Sequence, residues 1–60
     1  MIFQILRQRS TTRWLVLVEG QPYGEYLDKE EAVLDAIEAA EEACQTGRSA
    51  EVWDDTVRVY

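Results

Sequence analysis

The stretch LDKEEAVLDAIEAAEEACQTG, Leu27 to Gly47, reads as one amphipathic helix, and a lone helix with one apolar stripe needs a flat apolar surface to lie on. Asp28 suits the N-cap, and Glu31 three residues later completes a capping-box pattern, with Leu27 and Ala32 at the staple positions. Gly47 fits the C′ position that ends a helix. Between these signals Val33, Ala36, Ile37, Ala40, Ala43 and Cys44 recur at three- and four-residue spacing, while Glu31, Asp35, Glu38 and Glu42 fall on the opposite side. The stripe is mostly alanine, which lets a helix approach a sheet closely and leaves the bulk to the strands.

The flanking segments supply that sheet. IFQILRQ alternates as a strand, RSTT is a turn region, and RWLVLVEG is a second strand closing at Gly20. QPYG carries turn chemistry, and a short third strand is expected around Glu25 to Leu27. After Gly47, AEVW and TVRVY flank Asp54 and Asp55 as one bent strand or a small hairpin. The predicted fold is a single α+β domain over residues 1–60, β-β-β-α-β, with a three- to four-stranded antiparallel sheet and one amphipathic helix packed on one face. Alternation places Phe3, Ile5, Trp14, Val16, Val18, Tyr23 and Leu27 under the helix. The other face then carries Ile2, Leu6, Leu15, Leu17 and Tyr26 among Gln4, Gln8 and Arg13, and such an uncovered apolar face marks an interface.

A 60-residue chain buries only about 60% of the surface its unfolded form exposes, so association is a natural supplement to the core. A disulfide within the chain is ruled out by a single cysteine, Cys44, and the usual structural zinc sites by the lack of histidine. No signal-peptide pattern opens the chain, and its longest apolar run, Trp14 to Val18, is far short of a membrane span. A soluble protein of the reducing cytoplasm is expected, with no membrane partner. The net charge of −6 resides wholly in the helix, whose seven carboxylates face one lysine, while the remaining acids and arginines balance.

Those carboxylates are the first candidate for chemistry. Glu31, Asp35, Glu38 and Glu42 have the spacing to share a divalent cation, but one helix splays them into water without the loop oxygens a hard cation needs. A solvated face is the simpler reading, and an acidic surface for a basic partner the sharper one. Acid–base catalysis has no nucleophile or histidine to work with, so no catalytic residue and no cofactor is assigned. Arg7, Arg9 and Arg13 bracket the first turn beside Trp14, a cluster able to grip phosphate or stack on a base, against an overall charge that opposes nucleic acid. Cys44 is expected to be a small buried hydrophobe, and Trp53 and Tyr60 core or interface aromatics.

In RWLVLVEG, DKEEAVLDAIEAA and GRSAEVWDDTVRVY the chain resembles a family of short bacterial proteins of unknown function. That resemblance implies a β-meander with one packed helix and implies no activity. The chain departs from that pattern in its acidic helix and in DD where an Asp-Gly turn is common. The strand order and the LDKEEAVLDAIEAAEEA helix are also similar to HicB-like antitoxin domains, of partial RNase-H-like fold, which cover a small ribonuclease toxin. Here the Pro-Gly-Cys-type segment before the helix is missing. The leading expectation is a non-enzymatic interaction protein, a homodimer through Leu6, Leu15, Leu17 and Tyr26. An acidic or antitoxin-like regulator of a basic protein through Glu31, Asp35, Glu38 and Glu42 comes second. A nucleic-acid binder using Arg7, Arg9, Arg13 and Trp14 comes third.

Overall fold

A computed structural model describes residues 1–60. The elements are β1 (Ile2–Arg7), β2 (Trp14–Val18), β3 (Gln21–Tyr26), α1 (Lys29–Gln45), β4 (Glu51–Asp54) and β5 (Val57–Arg58). They form one five-stranded sheet in the order β3-β2-β1-β4-β5, covered on one face by α1, an α+β fold. The first turn lies between Gln8 and Arg13, whose backbones are joined by a 2.8 Å hydrogen bond. The second is not QPYG but the tighter Glu19-Gly20, both with positive φ, the combination of a type I′ hairpin whose twist matches its strands. Glu19 holds this conformation without being glycine. Its backbone N–H donates to the Ile2 carbonyl at 3.0 Å, and its Oε1 accepts the Ile2 N–H at 2.8 Å. QPYG is therefore strand, and Pro22 is tolerated because β3 is an edge.

The sheet is mixed rather than antiparallel, and the direction of the chain explains why. β1, β2 and β3 alternate as a meander, so β3 runs parallel to β1. The 17-residue helix, about 25 Å long at 1.5 Å per residue, carries the chain back the length of the sheet. β4 must then run in the direction of β3, and by landing beside β1 it forms a parallel pair from Ile2↔Glu51 to Ile5↔Asp54. The C-terminal segment resolves as a hairpin, with Asp54↔Val57 closing the turn and Asp55 at φ +58.

One irregularity decides which residues face the helix. In the β2–β3 pair Val16 opposes Gly24 but Leu17 opposes Pro22, so Tyr23 is an extra residue in a β-bulge. Tyr23 keeps the helix side, its ring edge-on to Phe3 at 6.0 Å and 82°. Beyond the bulge the alternation is inverted. Tyr26, expected on the uncovered face, turns beneath the helix and packs on the core opposite Trp14. Leu27, expected under the helix, is 69% exposed. Gly24 makes room for this arrangement, because a Cβ there would meet the Tyr26 hydroxyl at 2.9 Å.

The core is small. Phe3, Ile5, Val16 and Val52 supply its bulk from the sheet, and Ala32, Ala36 and Ala40 meet them from the helix at full burial. Val33, Ile37, Ala39 and Ala43 flank this line half-buried. Cys44, on the shoulder of the stripe in the last turn, is exposed rather than buried. Asp28 occupies the N-cap position in extended conformation, but its side chain makes no capping hydrogen bond. The C-terminus is a Schellman motif: Arg48 N–H donates to the Ala43 carbonyl at 3.0 Å and Gly47 N–H to Cys44 at 3.1 Å, with Gly47 at φ +90. Gly47→Ala should cost about 1 kcal/mol through this left-handed position, read as a lower urea midpoint at unchanged slope.

Candidate functional site

The face of the sheet away from α1 carries apolar side chains around Gln4 of the central strand β1. Leu6 and Leu15 oppose each other across β1 and β2, and Gln4 lies between Leu17 on β2 and Trp53 on β4. Leu6, Leu15, Leu17 and Trp53 are half-buried by their neighbours, and Ile2 is exposed. The Trp53 indole N–H donates to Glu51 Oε1 at 2.8 Å, so its ring can be covered without stranding a donor. Of the four residues expected here, Leu6, Leu15 and Leu17 lie on this face and Tyr26 does not. Trp53 takes its place, a residue reached only through the parallel pairing of β1 with β4.

The acidic side chains Glu31, Asp35, Glu38 and Glu42 are all exposed on α1. They do not form a uniform set. Asp35 lies against the Tyr26 hydroxyl, and Tyr26 is pushed up to about 12, first by burial and then by the Asp35 carboxylate. Leu34 is 60% exposed, one turn from Glu30 and Glu38. No group of three or more His, Cys, Asp or Glu side chains is placed to hold a metal ion.

The arginine cluster is partly assembled. Arg7, Arg9 and Trp14 line a crevice of about 730 Å³ with Ile5, Leu6, Lys29, Asp54 and Asp55. Arg13 is elsewhere, beside Leu15, Pro22 and Tyr23. The Arg7 guanidinium lies 6.0 Å and the Lys29 ammonium 5.5 Å from the Trp14 ring centroid, both within cation–π range. Lys29 also pairs with Asp54 at 2.6 Å. Neither Arg7 nor Arg9 has an ion-pair partner. The sequence carries no sign that Lys29 joins this group, because its approach to Asp54 depends on how α1 crosses the sheet.

No family model, no curated protein and no solved structure matches the chain. No helix is long and apolar enough to cross a membrane.

The Tyr26 environment sets a pH dependence. Its folded pKa is raised above the ordinary 10.0, so the native state holds the phenol proton more tightly than the unfolded chain. This contribution is complete below pH 10 and is lost as pH rises to about 12. Urea unfolding followed by circular dichroism should show stability falling across that window, and Tyr26→Phe should make the fall shallower.

Proposed function

We propose that the protein is a non-enzymatic interaction module that self-associates through its uncovered sheet face. The observation carrying this reading is the contiguous row of Leu17, Leu15, Leu6 and Trp53 around Gln4, on the face that α1 leaves open. A second copy is the occupant that fits. The strands, about 4.8 Å apart and from roughly 7 to roughly 20 Å long, present about 350 Å², so two such faces contribute about 700 Å² toward the ~1,000 Å² that a specific interface needs. The edges favour the face over strand addition, since β3 carries Pro22 and a bulge and β5 has only two residues. A two-fold arrangement of the central strands brings Gln4 toward its own copy, and an amide both donates and accepts, so it is self-complementary.

Sedimentation of the wild-type chain should give a dimer mass that persists in high salt, because the contact is apolar. Leu17→Arg should give a folded monomer with unchanged helical circular dichroism. A wild-type monomer at micromolar concentration, or an undiminished dimer in the variant, would remove this interface.

A second reading is an acidic regulator of a basic protein, antitoxin-like in its mode of covering a partner. The exposed Leu34 among Glu30, Glu38 and Glu41 supports it, since an apolar contact rimmed by carboxylates suits a basic amphipathic segment. The β-β-β-α-β order implied by the resemblance to HicB-like domains is also present. A partner held through Glu31, Asp35, Glu38 and Glu42 should dissociate as ionic strength passes physiological values, where the screening length is about 8 Å. Capture on immobilised protein followed by a salt step measures this, and retention through 1 M salt would count against it.

A further inference from the structure

We infer that the crevice at the ends of β1 and β4 binds a phosphate monoester that carries vicinal hydroxyl groups, a sugar phosphate or a nucleoside monophosphate. The place follows from topology. β1 and β4 are adjacent and parallel, their last paired residues being Ile5 and Asp54. From there β1 continues toward β2 on one side and β4 toward β5 on the other. Two parallel strands whose hairpin connections leave in opposite directions diverge beyond their last pair and leave a gap at their carboxyl ends, the position that takes the ligand in open α/β sheets.

The residues lining the gap match an anion with a hydroxylated neighbour. Three of the six basic residues of a chain with net charge −6 gather there, Arg7, Arg9 and Lys29. Lys29 is engaged by Asp54 and Arg7 is held over Trp14, so Arg7 is pre-oriented and free of any carboxylate. Arg9 is exposed and likewise unpaired. Two free guanidinium groups at one opening suit the oxygens of a phosphate. Asp54 and Asp55 on the opposite wall repel a bare anion but accept hydrogen bonds from hydroxyl groups, and they select a ligand carrying both functions. With Arg7 and Lys29 both within cation–π range of Trp14, the ring serves the cations, and base stacking is not the main contact. This separates the site from a single-strand nucleic-acid groove.

The test is a titration of the full ¹⁵N-labelled chain with inorganic phosphate, ribose 5-phosphate and adenosine 5′-monophosphate, followed by amide, Arg Nε and indole resonances. Saturable shifts are expected for Arg7, Arg9, Asp55 and the Trp14 indole, with the Trp53 indole unmoved. Ribose 5-phosphate should bind more tightly than inorganic phosphate. Equal affinity for the two organic phosphates identifies a sugar phosphate, and tighter binding of the nucleotide adds a base contact. Arg9→Ala, on an exposed loop, should weaken binding at least tenfold, whereas Arg13→Ala should leave it unchanged. Asp55→Asn, which keeps a residue tolerant of positive φ, should narrow the advantage of ribose 5-phosphate over inorganic phosphate. Absence of saturable shifts, equal loss in Arg9→Ala and Arg13→Ala, or binding of an oligonucleotide but of no monophosphate would each overturn the assignment.

Discussion

The close approach of α1 to the sheet is the contact on which the rest of the structure depends. Ala32, Ala36 and Ala40 stand one above another along the helix and are wholly buried over Phe3, Ile5, Val16 and Val52. A methyl group is all that separates the helix backbone from the sheet at these positions. Larger side chains would lift the helix, open voids beside the four bulky residues and lose dispersion contacts along the whole line. Burying a Phe, Ile or Val fully contributes roughly 1.5–3 kcal/mol each, and all four owe their burial to this one layer. The core of this chain is a single contact surface.

That contact also arranges the molecule's ends. A helix returning from the edge strand β3 across β2 and β1 delivers the chain beside β1, which makes β4 parallel and leaves the β1–β4 crevice open at one end. The same path brings Lys29, the first residue of the helix, to Asp54, the last of β4. The helix covers one side only. Eight residues are buried, four of them alanines, and Leu6, Leu15, Leu17 and Trp53 on the opposite face stay half-buried.

Charge is distributed in keeping with this geometry. Glu30 and Glu31 lie in the first turn, where carboxylates interact favourably with the helix dipole. No basic residue occupies the last turn, where the Schellman motif satisfies the backbone instead. The acids of α1 stay on its solvent side, and three of the six cations meet Asp54 and Asp55 at the crevice, so a chain that is acidic in total has an opening with a local excess of positive charge. Net charge describes the partners of a whole surface and says little about one concavity.

Much of this was legible in the residues. The helix from its N-cap to Gly47 followed from 3.6-residue periodicity and stop chemistry, because both are local properties of the chain. The first two strands, and the placing of Leu6, Leu15 and Leu17 opposite Phe3, Ile5 and Val16, followed from alternation for the same reason. Where a residue's place depended on its neighbours in space, the sequence was silent. Tyr26 and Leu27 changed sides because one extra residue at Tyr23 inverts a period of two, and nothing in QPYGEY marks the bulge until β2 lies beside it. Cys44 left the core because exposure depends on the neighbours that cover a shoulder of the helix as well as on the helix's own periodicity. Trp53 joined the open face through the parallel β1–β4 contact between segments nearly fifty residues apart, and Lys29 joined the arginines through the path of α1 over the sheet. Local periodicity determined the elements and their apolar sides, and tertiary structure alone decided which of those sides meet, since register and crossover are properties of pairs of segments.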